Sequence, residues 1–332
     1  MILDKENITA IGQYLLAKGL VKDGETVLSA EKPGEGNMNY TLRIKTADQS
    51  LIMKQARPYV EKYPQIPAPI ERIIAEGTFY QLTKDNEVIQ KMMPGMLLLD
   101  EQNHILVMED AGLSNDFTSV YKKGKELSSE NVKALAAYLT ELHQAFNEYQ
   151  TGEVMANRNL RKLNHEHIFI YPLMKENGFD LDPVQEGLAA LANPLKQNNA
   201  LKKKAEALGN TYLADGRILL HGDFYPGSWL KTDDGLKVID PEFCYFGTAE
   251  FDLGIVLAHF YMSQQPDHLF ELFQAAYENK AVDQQLVNDF SGIEIIRRII
   301  GLAQLPLDLN LTEKEALLKT ALMLLNIEQH GN

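Results

Sequence analysis

The chain has very little cysteine and a shortage of positive charge. Cys244 is the only cysteine in 332 residues, so no disulfide can form within the chain, and this composition fits a reducing cytoplasm. Lysine and arginine number 32 against 46 aspartate and glutamate residues, which gives a formal net charge of −14. Because nucleic acids and anionic membranes are bound by clustered Lys and Arg, this charge argues against both partners. A small-molecule partner remains.

Long hydrophobic runs are also missing from the first residues. The stretch Met1–Leu20 is interrupted by Asp4, Lys5, Glu6 and Lys18, so it predicts neither a signal peptide nor a membrane span. Hydrophobic residues still make up 45% of the chain, enough for a buried core, and 332 residues predict two domains rather than one. The oligomeric state cannot be read from this pattern, and a homodimer is one option.

The most informative segment present is Leu219–Gly254, LLHGDFYPGSWLKTDDGLKVIDPEFCYFGTAEFDLG, which carries two separate acidic centres. Asp223 follows a short apolar strand, and Asp240 and Glu242 follow a predicted hairpin with its turn at 233–235. Phosphoryl transfer to a hydroxyl needs one carboxylate to accept the proton and others to hold Mg²⁺. His-Gly-Asp alone is more often a plain turn. Here it is followed in order by Ser228, Asp240-Pro241-Glu242 and Phe251-Asp252-Leu253-Gly254. This ordered set predicts a magnesium-dependent phosphoryl transfer site.

The first third of the chain has features of a nucleotide-binding lobe. Glu31–Tyr40, EKPGEGNMNY, is a glycine-rich turn in which Gly34 and Gly36 would let the backbone approach phosphates, with Asn37 as a further nucleotide contact. A plain hairpin turn is the alternative. Lys54 lies on the next predicted strand, 50–55, and suits the α- and β-phosphates. Its expected acidic partner lies on a predicted helix, 70–83, with Glu76 as first candidate and Glu71 as second. A solvated edge-strand lysine is the alternative.

Taken together, HGDxxxGS, VIDPEF and FDxG resemble the aminoglycoside phosphotransferase and choline kinase superfamily, and within it the methylthioribose kinases most closely. KQARPYV at 54–60 and the Gly-Leu-Ala stretch at 301–303 are similar to that family too. The resemblance implies an α+β, two-lobe, protein-kinase-like fold. Residues 1–110 would form a small antiparallel-sheet lobe that binds nucleotide, and residues 111–332 a larger, mainly helical catalytic lobe. It also implies ATP and Mg²⁺ as cofactors and phosphorylation of the 1-hydroxyl of 5-methylthioribose, a step of methionine salvage.

The resemblance also implies a role for each candidate residue. Asp223 would accept the hydroxyl proton, while Asp252 and His221 would brace its loop. The strand 105–110 would be the hinge that holds adenine. The remaining assignments are Asp240, Glu242 and Ser228 at the metal, Val107 and Glu109 beside the base, and Arg297 and Arg298 at the substrate and the transferring phosphate.

Two other functions stay open. One is a kinase of the same fold that acts on another alcohol, such as an aminoglycoside, choline or a different sugar, because Phe224-Tyr225-Pro226 departs from the Leu-His-Thr that is typical of the family. The other is a non-catalytic nucleotide-binding relative. Elsewhere, helices are predicted over 129–146 and over 312–328, the latter with Thr312 and Glu315 as a capping box. His165 and His167 lack a third ligand nearby, so a metal pair there is disfavoured.

Overall fold

A computed structural model describes residues 1–34, 38–112, 115–147, 155–279 and 281–328. The chain divides into two compact units. The first unit comprises the described residues of Met1–Asn115, Gly152–Leu160 and Leu230–Phe243, and the second comprises those of Asp116–Thr151, Arg161–Trp229 and Cys244–Asn332. The first unit therefore takes in two short segments from later in the chain. The predicted lobe boundary after residue 110 treats each lobe as one continuous stretch, and it stays a prediction.

The first unit is built on an antiparallel sheet. Its five strands run in the order β1-β2-β3-β7-β6, and a separate hairpin consists of β4 and β5. The strands are β1 (Val27–Glu31), β2 (Tyr40–Thr46), β3 (Ser50–Gln55), β4 (Tyr59–Val60), β5 (Tyr63–Pro67), β6 (Met96–Asp100) and β7 (Ile105–Glu109). The predicted strand over 50–55 is present with the same bounds.

Alternation of apolar residues explains how this sheet is covered. Along β2, every second residue is buried, including Leu42 and Ile44, as expected for a strand with one face on a core. These side chains belong to one cluster with Met53 of β3 and Ile11 and Leu15 of α1 (Ile8–Ala17). The helix α1 thus supplies the apolar cover for the sheet that carries Lys54.

The helix after the sheet's third strand brings a carboxylate into the interior. α2 (Arg72–Thr83) begins two residues after the predicted start at Ile70, and it is followed by α3 (Glu87–Met92). Ile73, Glu76, Phe79 and Thr83 are all buried, which is the three-to-four spacing of one helical face. Glu76 is therefore on the inward face of α2, as the prediction of a Lys54 partner requires.

The second unit is mainly helical. Two helices, Ala249–Met262 and Gln284–Ile300, form much of its core, with Phe251, Ile255, Phe290 and Ile296 in one buried cluster. The helices are α4 (Ser129–Ala145), α5 (Arg158–His165, which begins in the first unit), α6 (Leu188–Gln197), α7 (Asn199–Leu213), α8 (Ala249–Met262), α9 (Asp267–Ala276), α10 (Gln284–Ile300) and α11 (Leu311–Leu324). None of the helices in the described ranges is long and apolar enough to cross a membrane.

Short strands carry the acidic motifs. After β8 (Asn115–Asp116), β9 (Ile218–Leu220) leads into the Asp223 loop and pairs with β12 (Tyr245–Gly247). The predicted hairpin before Asp240 is present as β10 (Trp229–Thr232) and β11 (Gly235–Val238), which are neighbours in one sheet. Gly235 has a φ of 103°, a conformation that glycine adopts without strain.

The predicted capping box of the last helix is wrong by two residues. α11 begins at Leu311, and its N-cap is Asn310, not Thr312. The Asn310 amide oxygen accepts from the backbone N–H of Glu313 at 3.0 Å, and the Glu313 carboxylate accepts from the backbone N–H of Asn310 at 2.7 Å. Asn310 has an extended backbone, with ψ at 173°, which is the conformation that an N-cap requires. The predicted box of Thr312 and Glu315 lies one half-turn too late.

Candidate active site

Lys54 is the centre of a buried ion-pair cluster in the first unit. Its ammonium nitrogen lies 2.6 Å from Glu76 Oε1 and also contacts Asp240 Oδ1. Burial disfavours the charge, but Asp240 and Glu76 together hold the pKa of Lys54 well above its ordinary value. The expected pairing with Glu76 is therefore present. Glu71, the second candidate, instead accepts a hydrogen bond from Asn159 Nδ2 at 2.7 Å.

Asp240 and Glu242 follow β11 on a short turn that begins at Pro241. Asp240 has a φ of 63°, a left-handed conformation that is uncommon for a residue other than glycine and that recurs at functional sites. Its side chain is 42% exposed, whereas that of Glu242 is 12% exposed. The first carboxylate thus faces solvent and Lys54, and the second is mostly enclosed by protein.

The environment of Glu242 favours binding of a cation. Burial, reinforced by the nearby charge of Glu76, raises the pKa of Glu242 to about 8 although Arg72 opposes this. A carboxyl group that protein surroundings leave poorly compensated gains most from an added positive charge. Carboxylate oxygens are the donors that Mg²⁺ prefers, usually one or two from protein with phosphates and waters. No group of three or more His, Cys, Asp or Glu side chains in the described ranges could hold a metal alone. Asp240 and Glu242 supply two carboxylates, the number that Mg²⁺ commonly takes from protein when phosphates and waters complete its shell.

The predicted nucleotide contacts are only partly described. Gly34 is exposed, and a Cβ atom added there would meet none of the described residues within 4 Å, whereas Gly36 and Asn37 lie outside the described residues. Val107 is fully buried in β7, and Glu109 at the end of that strand is exposed. The Glu109 carboxylate accepts from the backbone N–H of Gly95 at 2.9 Å. Their contact with adenine stays a prediction.

The loop of Asp223 in the second unit is held by hydrogen bonds to the Asp252 carboxylate. Asp252 accepts hydrogen bonds from the backbone N–H groups of His221 at 2.8 Å and Gly222 at 3.0 Å. His143 Nε2 lies 3.3 Å from the same carboxylate. Asp252 therefore holds this loop as predicted, and His143 lies against the same carboxylate. Ser228, a predicted metal ligand, is 2% exposed and donates its hydroxyl to the carbonyl of Asp223 at 2.8 Å; its role at a metal stays a prediction.

Two arginines of α10 converge on the Asp223 carboxylate. Arg298 lies 3.3 Å and Arg297 lies 3.7 Å from Asp223 Oδ1. Both are held by Glu294, with Arg298 Nε 2.7 Å from Glu294 Oε1 and Arg297 bonded to both oxygens. Burial opposes ionisation of Glu294, but the two guanidinium groups hold its pKa well below the usual range. The arginine pair thus meets a buried carboxylate, Glu294, on its own helix; its contact with substrate stays a prediction.

A neutral histidine lies behind this network. His259 Nε2 is 3.3 Å from Glu294, and its Nδ1 is 2.6 Å from the Tyr121 hydroxyl. Burial lowers the pKa of His259 to about 4 despite the hydrogen bond with Glu294. The ring of Tyr225 lies 5.3 Å from that of His259, and the Arg298 guanidinium lies 4.8 Å from the Tyr225 ring. The departure at Phe224-Tyr225-Pro226 therefore places an aromatic ring against the cation beside Asp223.

Sequence reasoning did not single out Glu294 or His259. A signal for Glu294 was available, because it precedes Arg297 and Arg298 by three and four residues, the spacing that brings helical side chains together. No comparable signal existed for His259, since its contacts come from α10 and from residue 121. Cys244 is fully buried.

Comparison with known proteins establishes the class. The model of the phosphotransferase enzyme family matches residues 29–286, and the chain belongs to this family. It is a phosphotransferase with an alcohol group as acceptor. Among curated relatives, the methylthioribose kinase of Exiguobacterium sibiricum is 28% identical over 84% of this chain and 81% of its own. That of Bacillus velezensis is 27% identical over 84% and 80%.

Solved structures confirm the fold. The choline kinase LicA from Streptococcus pneumoniae has a TM-score of 0.54 at 17% identity and covers 96% of this chain and 98% of its own. The AMP-bound complex of the spectinomycin phosphotransferase APH(9)-Ia has a TM-score of 0.55 at 15% identity, with 96% and 99% covered. The predicted α+β, protein-kinase-like fold is therefore confirmed, as is the predicted superfamily.

Proposed function

We propose that this chain transfers the γ-phosphoryl group of ATP to the 1-hydroxyl of 5-methylthioribose, in the cytoplasm, as a step of methionine salvage. The relatives named methylthioribose kinase, which match most of the chain, support the choice of substrate. The observation that carries the proposal is the Asp223 carboxylate flanked by Arg297 and Arg298. It combines a proton acceptor with two groups suited to phosphoryl oxygens.

The nucleotide half of the reaction falls to the first unit. Lys54, kept protonated between Glu76 and Asp240, would release Asp240 and turn its ammonium to the nucleotide phosphates. Asp240 and Glu242 would hold Mg²⁺, which when bound neutralises charge on the phosphate oxygens. Glu76 would keep Lys54 in position throughout, because its own side chain is fully buried.

The acceptor half falls to the second unit. Asp223 would orient the sugar hydroxyl and accept its proton while the hydroxyl oxygen bonds to the γ-phosphorus and the bond from that phosphorus to ADP breaks. Arg297 and Arg298 would meet the charge on the transferring group. The hydrogen bonds from His221 and Gly222 to Asp252 keep this loop in place before substrate arrives.

A second candidate is a kinase of another alcohol. The Tyr225 ring against Arg298 favours it, because the family typically has histidine at that position and the change alters the surroundings of the acceptor site. An aminoglycoside is the least suited acceptor, since a polycation would be repelled by the paired arginines.

An acceptor panel tests the proposal. ATP consumption would be followed with methylthioribose, ribose, choline and spectinomycin, and the product would be located by phosphorus NMR. We expect turnover with methylthioribose and phosphorylation at its 1-position. A higher kcat/KM with choline or spectinomycin would reject the substrate, and Mg·ATP binding without any turnover would favour the non-catalytic alternative. Sedimentation of the same sample would decide whether the protein is a homodimer.

A further inference from the structure

Glu242 is held at its side chain and at its main chain by two asparagines from distant parts of the first unit. Asn39 Nδ2 donates to Glu242 Oε2 at 2.9 Å, and Asn157 Nδ2 donates to the Glu242 carbonyl oxygen at 2.8 Å. Asn39 is 5% exposed and Asn157 is 6% exposed. Hydrogen bonds at such buried positions are not weakened by competing water, so they restrict both the turn and the carboxylate.

Asn39 is itself oriented by Arg72. The Arg72 Nε donates to Asn39 Oδ1 at 2.9 Å, so the amide nitrogen of Asn39 must face Glu242. Arg72 is fully buried, and its terminal nitrogens donate to the backbone carbonyls of Met38, Arg57 and Pro69 at 2.7 to 2.9 Å. The amide of Asn39 is therefore fixed through its oxygen, which leaves its nitrogen to donate to Glu242.

The two oxygens of Glu242 consequently differ. Oε2 accepts from Asn39 and lies 3.9 Å from the Arg72 Nε, so it has a hydrogen-bond donor and a positive charge beside it. A cation placed at Oε2 would be repelled by Arg72 and would compete with Asn39. Among the described residues, both the hydrogen bond from Asn39 and the 3.9 Å approach of Arg72 are to Oε2, so Oε1 is the oxygen suited to a metal ion.

We propose that Asn39 and Asn157 are positioning residues that hold Glu242 so that only its Oε1 binds Mg²⁺, an inference that rests on the proposed function. Asn39 also immediately precedes β2, at the end of the glycine-rich turn. Asn39 and Glu242 thereby share contacts with the same buried arginine. Outer residues that orient metal ligands affect metal affinity by about 10- to 100-fold.

The test measures metal binding directly, with Mn²⁺ as the probe in the presence of ADP, by electron paramagnetic resonance. The variants are Asn39→Ala and Asn157→Gly. Glycine is chosen at 157 because that residue has a φ of 45°, where alanine would add backbone strain. Each variant should weaken Mn²⁺ binding by about 10-fold or more, leave ADP binding without metal unchanged, and recover turnover when Mg²⁺ is raised.

The matched control is Asn159→Ala. Asn159 also donates an amide hydrogen bond to a carboxylate, that of Glu71, in the same unit, and its loss should leave Mn²⁺ binding as in the wild type. Folded Asn39→Ala and Asn157→Gly proteins that bind Mn²⁺ like the wild type would overturn the inference alone. If Asn39→Ala unfolds, Asn157→Gly decides. A wild type that binds ADP but no Mn²⁺ would overturn the proposed metal role, and this inference with it.

Discussion

The two units contain the same arrangement of charges made from different side chains. In the first, the buried carboxylate of Glu76 holds Lys54, which also contacts the more exposed Asp240. In the second, the buried carboxylate of Glu294 holds Arg297 and Arg298, which also contact the more exposed Asp223. Each unit thus has a positive group that is held by one buried carboxylate and contacts a second, more exposed carboxylate.

The two units differ in how well the buried carboxylate, Glu76 in the first and Glu294 in the second, is paired with hydrogen-bond donors. Glu294 accepts from both arginines and lies beside His259, and the arginines outweigh burial to keep its pKa well below the ordinary value. Glu76 Oε1 accepts from Lys54, whereas Oε2 accepts no hydrogen bond within the part of the chain that the structure describes, and burial raises the pKa of Glu76. We therefore expect the arginine network to be the more rigid one, and we propose that Lys54 exchanges Asp240 for a nucleotide phosphate.

Removal of the Asp223 carboxylate should have the largest effect on catalysis. Asp223→Ala should lower turnover by about 10²-fold or more, because a positioned general base contributes on that scale. Affinity for ADP should stay nearly unchanged, since the proposed nucleotide contacts are in the first unit. Steady-state kinetics and calorimetric titration with ADP check the two halves of this prediction.

The control for Asp223→Ala is Asp233→Ala. Asp233 is an exposed carboxylate in the turn between β10 and β11, so its loss should leave turnover as in the wild type. An Asp223→Ala enzyme with wild-type turnover would show that Asp223 has no part in proton transfer.

Glu294→Gln should break the arginine network and lower the free energy of unfolding. The change leaves two buried arginines without their shared anion, and breaking a buried ion pair costs about 3 kcal/mol of unfolding free energy. The KM for the acceptor should rise while ADP affinity stays constant. Urea unfolding measures the first effect, with Glu315→Gln as the control, because the Glu315–Lys319 pair is 43% and 53% exposed and contributes about 0.5 kcal/mol or less. Equal losses in both variants would contradict the assigned rigidity.

The sequence predicted the first arrangement better than the second. The pairing of Lys54 with Glu76 can be predicted because each lies on a locally periodic element, β3 or α2, whose buried face follows from neighbouring residues. Glu294 and His259 meet only when α8 and α10 pack together, which no local pattern encodes. The capping box failed for another reason: Asn310 with Glu313 and Thr312 with Glu315 have the same spacing, and the extended backbone at Asn310 decides between them.

Acid should weaken the second unit through His259. Its folded pKa, lowered by burial to about 4 from 6.5, means that the unfolded chain binds the proton first as pH falls. Stability is therefore intact above about pH 6.5 and is lost progressively toward pH 4, with a loss of about 2 kcal/mol at pH 5. The ring is faced by Tyr121, Tyr225, Glu294 and Arg298. Of these four, only Glu294 has an ordinary pKa near this window, and the arginines keep its carboxylate ionised. Unfolding free energies at pH 7 and pH 5 measure the difference.

The control for the His259 prediction is an exposed histidine. His259→Gln should reduce the dependence of stability on pH between 7 and 5, whereas His268→Gln, at an exposed position of α9, should preserve it. If both variants retain the wild-type dependence, another group is responsible for the acid sensitivity.

Glu76→Gln should have the smallest effect and most sharply separates the two arrangements. Glutamine keeps the shape and an oxygen that can accept from Lys54, and Lys54 retains Asp240 as a counter-charge. Because burial already disfavours the ionised form of Glu76, its replacement should cost about 1 kcal/mol, the scale of one hydrogen bond, against about 3 kcal/mol for Glu294→Gln. Urea unfolding compares the two variants directly, and titration with ADP should show a modest loss of affinity for Glu76→Gln alone. A Glu76→Gln protein destabilised as much as Glu294→Gln would mean that the lysine cluster is as rigid as the arginine network, and Lys54 could then not exchange Asp240 for phosphate at low cost.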